Sequence, residues 1–455
     1  MSRKSSLPRN AGLARQPRAR KPVELGTTKT GRGGAARSPI EVDAAALPPL
    51  GMAPADFLRD YWQKKPLLIR NAFPDFAASG FEPAISPEDL AGLACEEFAL
   101  SRIVTRERSA SLHGHDRWLL RHGPFEEVMF PEMPERDWTL LVQDVDKWDA
   151  DVAGVLDAFG FLPRWRIDDI MVSFAAPGGS VGAHVDQYDV FLLQAQGHRR
   201  WQIDASPNPS LEFRDDAELK LLREFNPSHD WVLGPGDMLY LPPGVPHHGV
   251  AEDACLTFSI GMRAPSAAEL LGDFVDTLAS GADEALRYRD PDLAPPRDAS
   301  EIDADAMTRV VEALNALRMN DSERLGDWFG RFITVYRSAG QVQPADTPPG
   351  AEPRSRIETE WDLLHGGSLW RHPFSRMAWR RTQTRAGGGA RLYVSGQEYP
   401  LPVRDAQRIA NGDTIDGASY ARLSQAGRDC VIELLGGGHY RLAADQIHPE
   451  DGEGP

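Results

Sequence analysis

The sequence predicts an α+β protein: a small β-barrel within residues 41–265, a helical region over 266–338, and a small mixed domain over 356–455. Three observations carry this. The apolar run DVFLLQ lies between the turn cluster Pro177, Gly178, Gly179 and the break at Gly197, as a strand does. Further on, GDMLYLPPGVPHH supplies a Gly-Asp turn, a second short apolar run and a Pro-Pro-Gly corner. After CLTFSIGMRAP the periodicity becomes helical, and AGQVQPADTPPGAEPRS, residues 339–355, reads as a Pro/Gly-rich linker before the last domain.

At the start of the chain, residues 1–40 hold ten Lys or Arg, one acidic residue (Glu24) and almost no large apolar side chain, so a disordered, solvated basic tail is expected. Scattered prolines and the lack of an apolar face count against a transit peptide. The chain as a whole carries −17, so with +9 in the tail the remainder carries −26. Such an acidic body suits a basic protein partner, and direct nucleic-acid binding is expected, if anywhere, only of the tail. A length of 455 residues with 41% hydrophobic side chains suffices for two or three domains, and no apolar stretch reaches a membrane span. A soluble, cytoplasmic protein is expected.

Within the barrel segment, GGSVGAHVDQYDVF is read as strand. Residues i and i+2 of a strand share a face, so His184 and Asp186 should project side by side, with Tyr188 continuing the row. His247, at the end of GDMLYLPPGVPHH, would come from another strand of a closed barrel that can hold one small ligand in its mouth. Two histidines and one carboxylate are the donor set of a non-haem ferrous centre, which leaves the opposite face for dioxygen and a co-substrate. An HxD pair alone is expected about once by chance in a chain with 12 His, so the surroundings carry the reading.

Arg199, in HRRWQI after Gly197, should lie on the next strand, folded back antiparallel to the first. A guanidinium grips a carboxylate with two parallel hydrogen bonds. Spacing leaves two readings open: Arg199 anchors a dicarboxylate inside the barrel, or Arg199 and Arg200 are both solvated edge charges. For Tyr188 the readings are a substrate-channel residue and a core aromatic.

Past the barrel, SAAELLGDFVDTLASG places Leu270, Leu271, Phe274, Val275 and Leu278 on one stripe, with Ser266 as N-cap. DADAMTRVVEALNALRM and ERLGDWFGRFITVYRS repeat the pattern. In the last domain ARLYVSGQEYPLP and HYRLA read as strands flanking a helical GASYARLSQAGRDCVIELL. The three cysteines, Cys95, Cys255 and Cys430, are too far apart for a metal or redox pair, and their scarcity fits a reducing compartment.

The motifs GGSVGAHVDQYDVF, GHRRW and GDMLYLPPGVPHHG, with DFLRDYWQKKPLLIRNAF, HGPFEE and WRIDDIMVSF upstream, resemble the core of the bacterial JmjC-type ribosomal oxygenases, over residues 50–265. These are Fe(II)- and 2-oxoglutarate-dependent enzymes that hydroxylate an arginine side chain of a large-subunit ribosomal protein, number sixteen. The resemblance implies a double-stranded β-helix (a JmjC or cupin-like barrel), a helical region that makes a homodimer, and a C-terminal winged-helix-like domain. It places the iron ligands on His184, Asp186 and His247, the 2-oxoglutarate anchor on Arg199, and a pocket serine on Ser173. Where close relatives carry Glu, this chain has His248, which is expected either behind the metal ligands or at the substrate side. The last domain lacks a dense basic stripe, so protein contact is expected of it. Rival readings are a JmjC-type demethylase or hydroxylase of another residue, and a non-catalytic cupin-like scaffold; the presence of all three ligands and Arg199 speaks against the scaffold.

Overall fold

In this computed structural model the described residues are 40–108, 116–295, 298, 300–317, 321–335, 355–382 and 389–442. The basic head and the linker expected at 339–355 lie outside them, apart from Ile40 and Ser355.

The N-terminal half is built from twelve strands: β1 (Glu41–Asp43), β2 (Leu67–Arg70), β3 (Ser101–Glu107), β4 (Arg117–His122), β5 (Trp138–Val142), β6 (Ile167–Ala175), β7 (Val190–Gln196), β8 (Arg199–Ile203), β9 (His229–Leu233), β10 (Met238–Leu241), β11 (His247–Ala251) and β12 (Cys255–Met262). They form a nine-stranded sheet in the order β1-β2-β10-β7-β12-β6-β5-β3-β4 and a three-stranded sheet β11-β8-β9. At β7 the large sheet is buried on both faces, as the run VFLLQAQ requires. Val190 and Leu192 meet Trp201, Ile203 and Leu239 on the side that carries the small sheet. Phe191, Leu193 and Ala195 join Phe57, Phe159 and Phe258 in the main core on the other side.

The strand expected to fold back beside the first does not do so. β7 pairs with β10 and β12, and β8 pairs with β9 and β11. Gly197 makes the difference: at φ +64 it takes a left-handed corner, where an added Cβ would lie 2.3 Å from the Ala254 carbonyl oxygen. His198 N then donates to Asp253 Oδ1 at 2.6 Å, and the chain crosses to the second sheet.

A second correction concerns the residues before β7. His184 to Asp189 are not a continuous strand; β7 starts at Val190, and His184 makes one isolated antiparallel bridge to His247. The segment is held by scattered bonds in place of a ladder: Leu222 N to Ala183 O, Gly244 N to Asp186 O, and Met262 N to Asp189 O. Asp189 itself is fully buried, with Oδ1 accepting from the Tyr240 hydroxyl at 2.7 Å and Oδ2 from Gln63 Nε2 and Arg166 Nη2.

Beyond the barrel, helix Ala267–Ser280 buries Phe274 and Leu278 against Trp328, Phe332 and Ile333 of helix Ser322–Thr334. Leu271 and Val275, expected on the same stripe, are exposed. Helix Ala304–Asn315 buries none of its residues, leaving Met307, Val310, Val311 and Leu314 uncovered. Helix Ser322–Thr334 is also seated on the C-terminal module, where Gly330 lies so close to the Tyr393 ring that a Cβ would reach within 2.3 Å of it. That module contains β13 (Ser368–Arg371), β14 (Met377–Thr382), β15 (Gly389–Val394), β16 (Gln397–Leu401), β17 (Thr414–Asp416) and β18 (Tyr440–Leu442), in two sheets ordered β17-β13-β18 and β14-β15-β16. Helices Val403–Asn411 and Gln425–Gly436 complete its core, with strands at ARLYVSGQEYPLP and HYRL as the sequence predicts.

Tyr240→Phe removes one hydroxyl from the buried Asp189 carboxylate and is expected to lower unfolding stability by about 1–3 kcal/mol, measured by urea denaturation. The remaining Gln63 and Arg166 bonds should keep the fold.

Candidate metal centre

The bridge between His184 and His247 is a reciprocal pair of backbone bonds, His184 N to His247 O at 3.0 Å and His247 N to His184 O at 2.9 Å. It sets the two imidazoles 4.2 Å apart, centroid to centroid. Asp186 Oδ2 lies 3.8 Å from His184 Nε2 and 3.6 Å from His247 Nε2. Ligand atoms of all three residues fall within 4.8 Å of one another, as donors around one ion would.

The tautomers are also set. His184 Nδ1 faces the Gly182 carbonyl and His247 Nδ1 the Val245 carbonyl, each at 3.0 Å. A carbonyl can only accept, so each Nδ1 carries the proton and each Nε2 presents its lone pair to the shared centre. Burial, reinforced by His184, brings the His247 pKa down to about 4, so this imidazole is neutral at physiological pH, as a metal ligand must be.

These three side chains line a cavity of about 210 Å³ together with Arg199, Trp201, Ser173 and Tyr188. On β6, Asp169, Met171 and Ser173 share the face toward the cavity, and Thr257, Ser259 and Gly261 do so on β12. Four residues of strand separate Asp169 from Ser173, about 13 Å. The cavity therefore has two chemically different ends.

Arg199 marks one end. It is 3% exposed, and its Nη1 donates to Ser173 Oγ over a long 3.4 Å. Its Nε and the Trp201 Nε1 are buried without hydrogen-bond partners, and the Trp201 ring lies 5.0 Å from the guanidinium carbon. Among the described residues no carboxylate pairs with it. An isolated buried cation costs several kcal/mol, so this guanidinium fits an anion supplied from outside the chain. The solvated-edge reading holds for Arg200 alone, which is half-exposed and paired with Asp230 and Glu252. Gly249, opposite Trp201 on β11, makes room: a Cβ there would sit 2.7 Å from the Trp201 ring and 2.8 Å from Arg199 Nε.

At the other end Asp168 and Asp169 line the cavity with Tyr188 and Arg102. Burial, followed by the charges of Asp144, Asp168 and Asp146, raises the Asp169 pKa to about 7. Tyr188 is 41% exposed and so is not a core aromatic. His248 follows His247 on β11 and projects to the opposite side, edge-on to Phe225 and with Nε2 buried. It is not among the residues lining this cavity. Sequence reasoning missed Asp168, Asp169, Trp201 and Gly249. The doubled acid in WRIDDIM, at the head of an apolar strand, was the one available signal.

Comparison with known proteins agrees with this geometry. Residues 154–270 match the family model described as a JmjC domain, and residues 316–441 the one described as a ROXA-like winged helix. The chain is 37% identical over 364 residues to the ribosomal protein uL16 3-hydroxylase of Escherichia coli, covering 77% of this chain and 86% of that one. It is 41% identical over 246 residues to a probable ribosomal oxygenase of Haemophilus influenzae, 54% of this chain and 56% of the relative. The E. coli ribosomal oxygenase YcfD, solved with cobalt and 2-oxoglutarate, superposes with a TM-score of 0.70 at 31% identity, over 87% of this chain and 99% of YcfD.

His247→Ala is expected to abolish ferrous-ion binding, measured by isothermal titration under anaerobic conditions, and His248→Ala to retain it. The reverse pattern would move the third ligand by one residue.

Proposed function

Since the chain belongs to the JmjC-type ribosomal oxygenases, dependent on Fe(II) and 2-oxoglutarate, we propose that it hydroxylates an arginine side chain of the large-subunit ribosomal protein uL16. The observation that carries the reading is the polarity of one cavity. A lone buried guanidinium, Arg199, stands at one end, the donors His184, Asp186 and His247 in its wall, and the acids Asp168 and Asp169 at the far end.

In this reading His184, Asp186 and His247 hold the iron. When bound, the iron with 2-oxoglutarate and dioxygen would supply the oxidising chemistry, in which the keto acid gives succinate and carbon dioxide and one oxygen atom enters a carbon–hydrogen bond of the substrate. The protein's contribution is binding and orientation. Arg199 would hold a carboxylate of 2-oxoglutarate, and the Ser173 hydroxyl beside it would be a further donor. The Trp201 ring walls this end against water, which keeps the charge pair strong. Asp168 and Asp169 fit a substrate guanidinium, and Tyr188 offers a partly exposed ring at the entrance.

Charge complementarity extends the same logic outward, because an acidic body attracts a basic ribosomal protein. Modification of a ribosomal protein would support a cytoplasmic site of action. Among the described residues no helix is long and apolar enough to cross a membrane. The exposed stripe Met307, Val310, Val311 and Leu314 supports a homodimer through the helical region.

Purified protein with Fe(II), 2-oxoglutarate and a peptide from the arginine-bearing loop of uL16 should release succinate and add the mass of one oxygen atom at arginine, read by tandem mass spectrometry. Replacing the peptide's arginine by norleucine should abolish it, and turnover retained on that peptide would sink the arginine assignment. A carboxyl with a raised pKa is neutral below it and charged above it. Peptide KM should therefore fall as pH rises through about 7, and Asp169→Asn should flatten that dependence.

A further inference from the structure

The acidic end of the cavity is not completed by the barrel alone. Arg376 belongs to the C-terminal module, in the turn just before β14, and its side chain is 12% exposed. Its Nη2 donates to Asp168 Oδ1 at 2.6 Å and to the Asp168 carbonyl at 2.7 Å. Its Nη1 reaches the Ile167 carbonyl at 3.3 Å. One guanidinium thus clasps both the carboxylate and the backbone at the head of β6, the strand whose next residue is Asp169. Behind it, Ser395 N donates to the Arg376 carbonyl at 3.0 Å and anchors the residue to the module's own sheet. The contact is flanked by the edge-on pair Trp148 and Phe374, 5.2 Å between centroids, and by the ion pair of Arg164 with Asp413.

We propose that Arg376 is a positioning residue for substrate: it fixes the Asp168–Asp169 pair from outside the cavity, so the C-terminal module is a structural part of the substrate site. The inference rests on the proposal that this end of the cavity receives a guanidinium. Charge-assisted bonds hold geometry more tightly than neutral ones, and Arg376 makes such a bond to the Asp168 carboxylate. It also offsets the charge of Asp168, one of three carboxylates, with Asp144 and Asp146, that oppose the charged form of Asp169. Five residues of β6, about 16 Å, separate Asp168 from the Ser173 that stands beside Arg199, so the clasp lies well away from the Arg199 end.

Steady-state kinetics on the full-length protein, with the uL16 arginine peptide, separates the alternatives. Arg376→Ala should raise peptide KM about tenfold, the order expected for one charge-assisted bond, with a smaller change in kcat and an unchanged dissociation constant for 2-oxoglutarate. Arg376→Lys, which keeps the charge, should recover part of the loss and serves as the readable variant if Arg376→Ala does not fold. In an Asp168→Asn background Arg376→Ala should add less than it does alone, since the carboxylate charge that Arg376 holds is already gone and only the carbonyl contacts to Ile167 and Asp168 remain. Arg164→Ala, which removes the neighbouring ion pair between barrel and module without touching Asp168, should leave KM unchanged. A wild-type KM in Arg376→Ala, an undiminished effect in the Asp168→Asn background, or an equal effect of Arg164→Ala would overturn the inference while leaving arginine hydroxylation standing. Failure of the wild-type protein to act on any arginine peptide would instead fall on the arginine reading and take this inference with it.

Discussion

Two backbone hydrogen bonds between His184 and His247 organise the centre of this molecule. They join an irregular segment, which leads into β7 of the large sheet, to β11 of the small sheet. The ligand set therefore spans both walls of the barrel. Because the bonds are reciprocal, they fix the backbone spacing from which the two imidazoles project, and the buried His247 ring also packs on Trp201. The carbonyls of Gly182 and Val245 then determine which ring nitrogen faces inward. Asp186 is fixed on the same principle, its carbonyl taking the Gly244 amide. A candidate metal site assembled by backbone bonds is preorganised, so little reorganisation would be needed for an ion to enter.

Around this centre the cavity is divided by charge. A buried guanidinium without a carboxylate partner is an expense that a folded chain does not carry without a compensating use. At the opposite end the carboxylates of Asp168 and Asp169 are crowded by Asp144 and Asp146, with burial pushing the Asp169 pKa upward. In the proposed reading the two ends take ligands of opposite sign, an anionic co-substrate beside Arg199 and a cationic side chain beside Asp168 and Asp169, which would discourage either from binding in the other's place. The C-terminal module enters this arrangement through Arg376, although it shares neither of the barrel's sheets.

Much of the site was legible in the sequence, for physical reasons that can be named. His184, Asp186 and His247 stand beside turn residues and a Pro-Pro-Gly corner that constrain the backbone, and Arg199 follows a glycine that must turn it. What periodicity could not supply was the path between them. Alternation suggested one strand through His184 and Asp186 and a simple hairpin to Arg199, whereas the left-handed corner at Gly197 sends β8 to the other sheet. The helical stripe at Leu270 to Leu278 was visible, but which members are buried depends on Trp328 and Phe332, far along the chain. The clasp of Arg376 on Asp168 joins residues 208 positions apart, and no local pattern encodes it.

The central claim is that the cavity acts on an arginine of a large-subunit ribosomal protein, and intact-mass analysis of ribosomes from cells with and without the gene tests it most directly. The account predicts that one large-subunit protein, uL16, is lighter by one oxygen atom when the gene is absent, with the difference localised to a single arginine by fragmentation. Identical masses for every ribosomal protein, or a difference localised to another residue type, would contradict it.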